Sequence, residues 1–162
     1  MSITEERREV FDFSEPYFDS TVCAAAKAGG DVKSLDDLSG KTVAVKNGTQ
    51  SSLWADSIKD QYGFTTTVFD DSATMYQDVT AGNSAACFED TPVMSYAIST
   101  GNVDLELIAE ADADSEFATP YGFAVNKGAN AELLSMFDAG LANLKENGTY
   151  DEIVSKYVQS VD

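Results

Sequence analysis

Four short stretches of the sequence hold side chains able to do chemistry. Arg7 and Arg8 adjoin in Thr4-Glu5-Glu6-Arg7-Arg8. Two guanidiniums together admit two readings: a solvated charge cluster, or a fork that clamps a carboxylate, for which arginine outperforms lysine. Val45 leads into Lys46-Asn47-Gly48-Thr49-Gln50. That turn puts backbone N–H groups at the start of a helix, suited to an anionic or carbonyl oxygen. Phe88 leads into Glu89-Asp90, followed by Thr91-Pro92. With Thr91 expected as helix cap and Pro92 at the first helical position, Asp90 is left to meet a cation. The rival reading is an acid that simply favours a helix N-terminus. Asp70-Asp71, after Phe69, is assigned to turn and capping duty.

The elements expected to carry these residues alternate between short apolar runs and helical patterns, which predicts an α/β fold. Thr21 to Ala26, Thr42 to Val45, Phe64 to Phe69 and Ala85 to Phe88 read as strands. The spacing predicts helices from about Ser52 to Tyr62, from a cap at Asp71-Ser72 through Met75, Tyr76 and Val79, and from Pro92 to about Ser99. The order β-α-β-α-β-α is that of a parallel sheet with right-handed crossovers. A further strand is expected at Tyr121 to Val125, and two closing helices at 130–146 and 149–158. A boundary between lobes is expected near Ala118. In open α/β sheets ligands bind beyond the carboxyl ends of the strands, where the Lys46 and Glu89 stretches fall.

Composition narrows the chemistry. The 162 residues include 28 acidic and 10 basic side chains, a net charge of −18, and no histidine. Such a surface repels phosphate backbones and anionic lipid, so nucleic acid and membrane surface are not expected partners. Without histidine, His-based triads and HExxH zinc sites are excluded. Ser39-Gly40-Lys41-Thr42 resembles the end of a P-loop, but Leu35 stands where a glycine is needed and a strand follows. No metal site, catalytic set or cofactor is expected. Cys23 and Cys87 are too few and too distant for a disulfide framework. They read either as two buried thiols or as a single bridge, which an oxidising compartment allows. No basic stretch followed by an apolar core opens the chain, so no signal peptide is expected within it.

Several of these motifs together resemble one family. Met1-Ser2-Ile3-Thr4-Glu5-Glu6-Arg7 with Phe13-Ser14-Glu15-Pro16-Tyr17, then Leu38-Ser39-Gly40-Lys41-Thr42-Val43-Ala44-Val45-Lys46-Asn47-Gly48-Thr49, are similar to segments of extracellular solute-binding proteins of polar amino-acid ABC transporters. Phe88-Glu89-Asp90-Thr91-Pro92-Val93 and Asn147-Gly148-Thr149-Tyr150-Asp151-Glu152-Ile153 resemble later segments of the same family, in the same order. The resemblance implies a type II periplasmic-binding-protein-like fold with two lobes that close on an amino acid without catalysis. By motif, Arg7 would hold the α-carboxylate, Ser2 would add a hydroxyl or backbone bond, and Thr49 would help there. Asp90 would take the α-ammonium. Lys46 and its loop, Gln50 included, would face the ligand side chain, and Glu89 completes the implied ligand-binding set. The Phe-Glu-Asp-x-Pro-Val pattern looks most like that of glutamine binders, and amide recognition rejects ligands that leave buried groups unpaired.

The family normally carries about 70 further residues before this point, in keeping with domain sizes. The resemblance therefore implies an N-terminally truncated chain: residues 1–19 and 117–162 as remnants of lobe 1, 20–116 as a complete lobe 2, and hinges near Asp19-Ser20 and Ala118-Thr119. It implies an extracellular, surface-anchored or periplasmic parent that serves a membrane permease. The truncated chain is expected to bind weakly or not at all, and to self-associate or exchange domains through the apolar faces of its last two helices. Cys23 and Cys87 would then lie on neighbouring antiparallel strands, within reach of a bridge. Two alternatives belong to other classes: the sensory domain of a membrane receptor, and a dehydratase-type enzyme on the same fold with Glu89 as its acid.

Overall fold

The alternating runs of the sequence become, in a computed structural model that describes residues 1–157, seven strands and six α-helices among the described residues. They fall into two units, 1–20 with 118–157, and 21–117. Each is described by itself. In the first, α1 (Glu5–Arg8) leads to β1 (Phe11–Phe13). In the second stand β2 (Val22–Lys27), a 3-10 turn (Leu35–Leu38), β3 (Thr42–Lys46), α2 (Gln50–Tyr62), β4 (Thr65–Phe69), α3 (Ser72–Thr80), β5 (Ala86–Asp90), α4 (Thr91–Ser99) and β6 (Leu105–Glu110). The chain returns to the first unit with β7 (Ala124–Asn126), α5 (Ala131–Glu146) and α6 (Thr149–Tyr157). The expected end of the last helix at Val158 lies outside the described residues.

The sheet of unit 21–117 runs in the order β4-β3-β5-β2-β6. β3 is parallel to both β4 and β5, while β2 is antiparallel to β5 and β6. The strand–helix order accounts for the parallel part, β4-β3-β5, and β2 makes the parallel/mixed-sheet lobe that the resemblance implies a mixed one. β2 is delivered by no crossover helix of its own and enters between β5 and β6 in the opposite sense. Leu105–Glu110 is a strand that the apolar pattern did not single out. Its residues are mostly half-buried, because it closes the sheet at one edge.

Side chains alternate across the strands with a period of two, and this one periodicity builds two cores. On one face Val22, Ala24, Val43, Val45 and Phe88 meet Trp54 and Ala55 of α2 and Phe64. On the other, Cys23, Ala25, Ala44 and Cys87 meet Met75, Tyr76 and Val79 of α3 and Met94 of α4. Small residues on β2 (three consecutive alanines) let helices approach on both sides. Phe88, wholly buried, is the centre of the first core, with Trp54 edge-on at 5.2 Å and Phe64 at 5.6 Å between ring centroids.

In unit 1–20 with 118–157, β1 pairs antiparallel with β7, Phe11 opposite Asn126. The expected strand over Tyr121 to Val125 is only partly one: Tyr121 makes isolated bridges to Ser2 and Phe18, and the ladder begins at Ala124. Gly122 between them is buried under Ile3. A Cβ there would lie 2.8 Å from Ile3 Cδ1, so only glycine fits without displacing it. Phe137 of α5 stacks on Phe123 at 4.8 Å and is flanked by Tyr17. Leu133, Met136 and Leu144 of α5 and Ile153 and Tyr157 of α6 are exposed.

The register also decides the cysteines. Cys23 lies opposite Glu89, and Cys87 opposite Ala25. The two sulfurs therefore sit on one face but one pleat out of step. Diagonal neighbours of that kind lie about 7–8 Å apart, beyond the roughly 4.4–6.8 Å between Cα atoms that a disulfide spans. Both are buried free thiols, which corrects the bridge between neighbouring strands. The intact mass should be the same before and after reduction, and a thiol reagent should label Cys23 and Cys87 only after denaturation. Phe88→Ala should lower the unfolding free energy by about 3–5 kcal/mol in denaturant titration, because the rings around it cannot close the cavity left.

Candidate functional site

Lys46 ends β3 and Glu89 is the next-to-last residue of β5, two parallel neighbours whose carboxyl ends lie side by side. Ala44 and Cys87 are partners across that pair, so Lys46 and Glu89, each two residues further on, emerge on the same face. Glu89 is 1% exposed. A buried carboxylate must be paired and hydrogen-bonded to be tolerated, and this one is. Lys46 Nζ lies 3.1 Å from Oε2 and 3.3 Å from Oε1. Ser72 Oγ, at the first position of α3, donates to Oε2 at 2.6 Å, and Tyr76 OH, one helical turn on, donates to it at 3.0 Å. The Asp90 N–H donates to Oε1 at 3.1 Å. Lys46 Nζ also donates to Ser72 Oγ at 2.6 Å, closing a ring of polar contacts.

This arrangement has a definite chemical character. An ionised carboxylate offers about four lone-pair sites, and four donor groups occupy those of Glu89. The Lys46 ammonium spends its three donors on the two Glu89 oxygens and Ser72 Oγ, and its side chain is 26% exposed while that of Glu89 is 2%. The site therefore presents a partly exposed ammonium whose charge is balanced by the acid beneath it. Burial, and next the charge of Glu89, push the Tyr76 phenol above its ordinary value, so it keeps the proton it donates. Burial likewise pushes the Cys23 thiol, opposite Glu89, up to about 12.

Asp90 occupies the N-cap position of α4, with extended backbone and no capping bond from its side chain; Thr91 is the first helical residue. This corrects the expectation that Thr91 caps with proline next. The chain is still extended at residue 90, so the helix starts one residue earlier than the threonine predicts. The Thr91 hydroxyl is bonded instead to Thr21 Oγ1 at 2.9 Å. Thr49 is the N-cap of α2: its hydroxyl accepts from the Ser52 N–H at 3.1 Å and donates to the Lys46 carbonyl at 2.8 Å. That hydroxyl is thus committed to fixing the turn that carries Lys46. Gln50 is the first residue of α2 and half-buried. Asp71 caps α3 through its side chain, accepting from the Thr74 N–H at 2.9 Å.

In the other unit, Ser2 is buried and Arg7 Nη1 donates to its carbonyl at 3.0 Å. Thr4 caps α1 by accepting from the Arg7 N–H. Arg8 goes elsewhere, to Glu5 at 3.6 Å and over the Phe13 ring. The adjacent guanidiniums are therefore not one clamp, and Arg7 alone is held beside Ser2. The sequence-predicted residues form two groups, Ser2 with Arg7 in one unit and Lys46, Glu89 and Asp90 in the other.

Ser72 and Tyr76 escaped the sequence reading. By spacing, Tyr76 falls on the apolar face of its helix with Met75 and Val79, and Ser72 falls in the cap. The signal that could have found them is their spacing of four on the helix that follows β4, which puts both on one side of α3.

A model of the bacterial extracellular solute-binding proteins, family 3, matches residues 1–160. The chain belongs to that family. It is 31% identical over 162 residues to the ABC transporter glutamine-binding protein GlnH of Bacillus subtilis (strain 168), covering 98% of this chain and 56% of that protein. It is 31% identical over 159 residues to the L-cystine-binding protein TcyJ of Escherichia coli (strain K12), covering 97% and 57%. Among solved structures, substrate-binding domain 2 of Lactococcus lactis GlnP in an open conformation is 42% identical, with a TM-score of 0.69 over 100% of this chain and 68% of that one. The chain spans a little over half the length of the curated relatives it matches. Its α/β fold with a mixed sheet is that of the type II periplasmic amino-acid binding proteins.

Two measurements check the Glu89 cluster. Tyr76→Phe should destabilise the protein by about 1.5–3 kcal/mol, the usual range for a hydrogen bond to a charged group. Both Cys23 and Tyr76 have raised folded-state values, so the folded protein keeps protons that the unfolded chain releases. Their contribution is fully present below about pH 9 and lost as pH rises towards 12. The denaturation midpoint should fall across that window, and less steeply in Cys23→Ala.

Proposed function

We propose that the protein captures a polar α-amino acid for an ABC transporter, without chemical turnover, and that glutamine is its ligand. Arg7, with Ser2, takes the α-carboxylate; Asp90 takes the α-ammonium; Lys46 reads the side chain, with Thr49 and Gln50 forming its turn. In this reading residues 20–116 act as one lobe, 1–19 and 117–162 belong to the other, and ligand shifts a hinge equilibrium through its preference for the closed state. The partner is a membrane permease, and the site of action is outside the cell membrane.

The observation that carries the reading is the buried Lys46–Glu89 pair. The pair carries no net charge, and that favours a neutral polar side chain such as an amide over a charged one. A side-chain carboxylate would feel the Glu89 charge behind the ammonium, and a guanidinium would meet the ammonium itself. Discrimination of this kind is strong where buried polar groups would otherwise stay unpaired. GlnH and GlnP, similar to this chain, point the same way. The Asp90 carboxylate makes no capping bond to α4, so it can be altered without removing a cap.

Isothermal titration of the full-length protein should show glutamine bound more tightly than glutamate, arginine or cystine. Arg7→Ala and Asp90→Asn should each weaken binding by roughly 2–5 kcal/mol, the cost of leaving a desolvated opposite charge unpaired. Unchanged affinity in either variant removes that residue from the site, and arginine binding above glutamine overturns the ligand. The exposed apolar side chains of α5 and α6 support self-association of this 162-residue chain. Light scattering after size exclusion should show more than one copy, and a stable monomer would refute it.

A further inference from the structure

Besides Lys46, three groups donate to Glu89, and one of them, the Ser72 hydroxyl, touches both charges of the pair. It donates to Glu89 Oε2 at 2.6 Å and accepts from Lys46 Nζ at 2.6 Å. The Tyr76 hydroxyl reaches the acid, at 3.0 Å, but not the ammonium. A hydroxyl has one proton to give and lone pairs with which to receive. The charges on either side of Ser72 therefore fix its direction, proton towards the carboxylate and lone pair towards the ammonium. Its place is set by the backbone. Ser72 is the first residue of α3, and Asp71 before it accepts from the Thr74 N–H at 2.9 Å. The capped helix start thus holds the hydroxyl where β3 and β5 deliver Lys46 and Glu89.

An ammonium has three donors. Lys46 spends two on the Glu89 oxygens, at 3.1 and 3.3 Å, and the third on Ser72. Ser72 therefore occupies the one donor that Glu89 does not take. A ligand side chain that reaches Lys46 meets a charge already paired and no N–H in reserve. A neutral amide loses little by this, whereas a carboxylate taken out of water without a donor keeps a full charge unpaired, which costs more. A freed Lys46 donor would reverse that order, because an ammonium–carboxylate contact adds the attraction of opposite charges to the hydrogen bond. We propose that Ser72 is a specificity-determining positioning residue: by occupying the third donor of Lys46, its hydroxyl turns the site away from an acidic side chain and towards a neutral one. This rests on the reading in which Lys46 faces the ligand side chain. Ser72 acts through Lys46 and touches no ligand itself.

Calorimetric titration of the full-length protein with glutamine and with glutamate reads the ratio of the two affinities. Ser72→Ala should shift that ratio towards glutamate by about tenfold, the difference between a hydrogen bond to a charged group and one to a neutral group. Ser72→Thr, which keeps the hydroxyl, should restore the wild-type ratio. Tyr76→Phe takes a donor from the same acid but leaves the three donors of Lys46 committed, so it should lower stability and leave the ratio unchanged. A merely structural role for Ser72 would weaken both ligands alike. A second measurement needs no ligand: the ¹⁵Nζ resonance of Lys46, identified by its loss in Lys46→Gln, should move in Ser72→Ala and return in Ser72→Thr. An unchanged ratio in Ser72→Ala, an equal shift of the ratio in Tyr76→Phe, or an unmoved Lys46 resonance would each overturn the proposal. Wild-type protein that binds neither ligand would overturn the amino-acid reading and this role together; the Lys46 resonance, read without ligand, tells that failure from an absent Ser72 contact.

Discussion

The rest of unit 21–117 is organised around one difficulty, a carboxylate placed where almost no solvent reaches it. Glu89 is the next-to-last residue of a buried strand, and taking its charge out of water costs several kcal/mol unless partners replace the water. The partners come from four separate places: the end of β3, the first and second turns of α3, and the next peptide of its own chain. Each must stand within hydrogen-bond distance at once. The lateral pairing of β3 with β5 and the docking of α3 on the sheet face meet that demand together. An error in either would strand the acid.

The same demand explains the polar character of an otherwise apolar face. Cys23, Ala25, Ala44, Met75 and Cys87 are fully buried there. The network then runs from the buried Tyr76 to the half-buried Ser72 and Lys46 at the helix and strand ends. Such a gradient lets a protein hold a charged donor at a surface while its counter-charge stays fixed in position. A side chain preorganised in this way loses little freedom when it meets a partner.

Family membership and geometry meet at this point. The family shares a fold in which ligands are held beyond the carboxyl ends of strands, and the Lys46–Glu89–Asp90 group lies at those ends. The acidic surface fits a protein that does not seek nucleic acid or anionic lipid.

Much of this was legible in the residues themselves. Strand alternation, the Asp71 cap, and the placing of Lys46 and Glu89-Asp90 at strand ends follow from local physics, since periods, caps and turns act over a few residues. The motif order carried the family as well. What the sequence could not determine depended on how elements came to lie beside one another. The one-pleat offset of Cys23 from Cys87 is a fact of register, which no single strand encodes. Arg7 and Arg8 look equivalent as neighbours, yet one turns to the Ser2 carbonyl and the other to Glu5 and Phe13. Ser72 and Tyr76 became partners of Glu89 only because α3 docks with that side down. Tertiary contact decided those roles, since a hydrogen bond between strand and helix exists only once both have been packed.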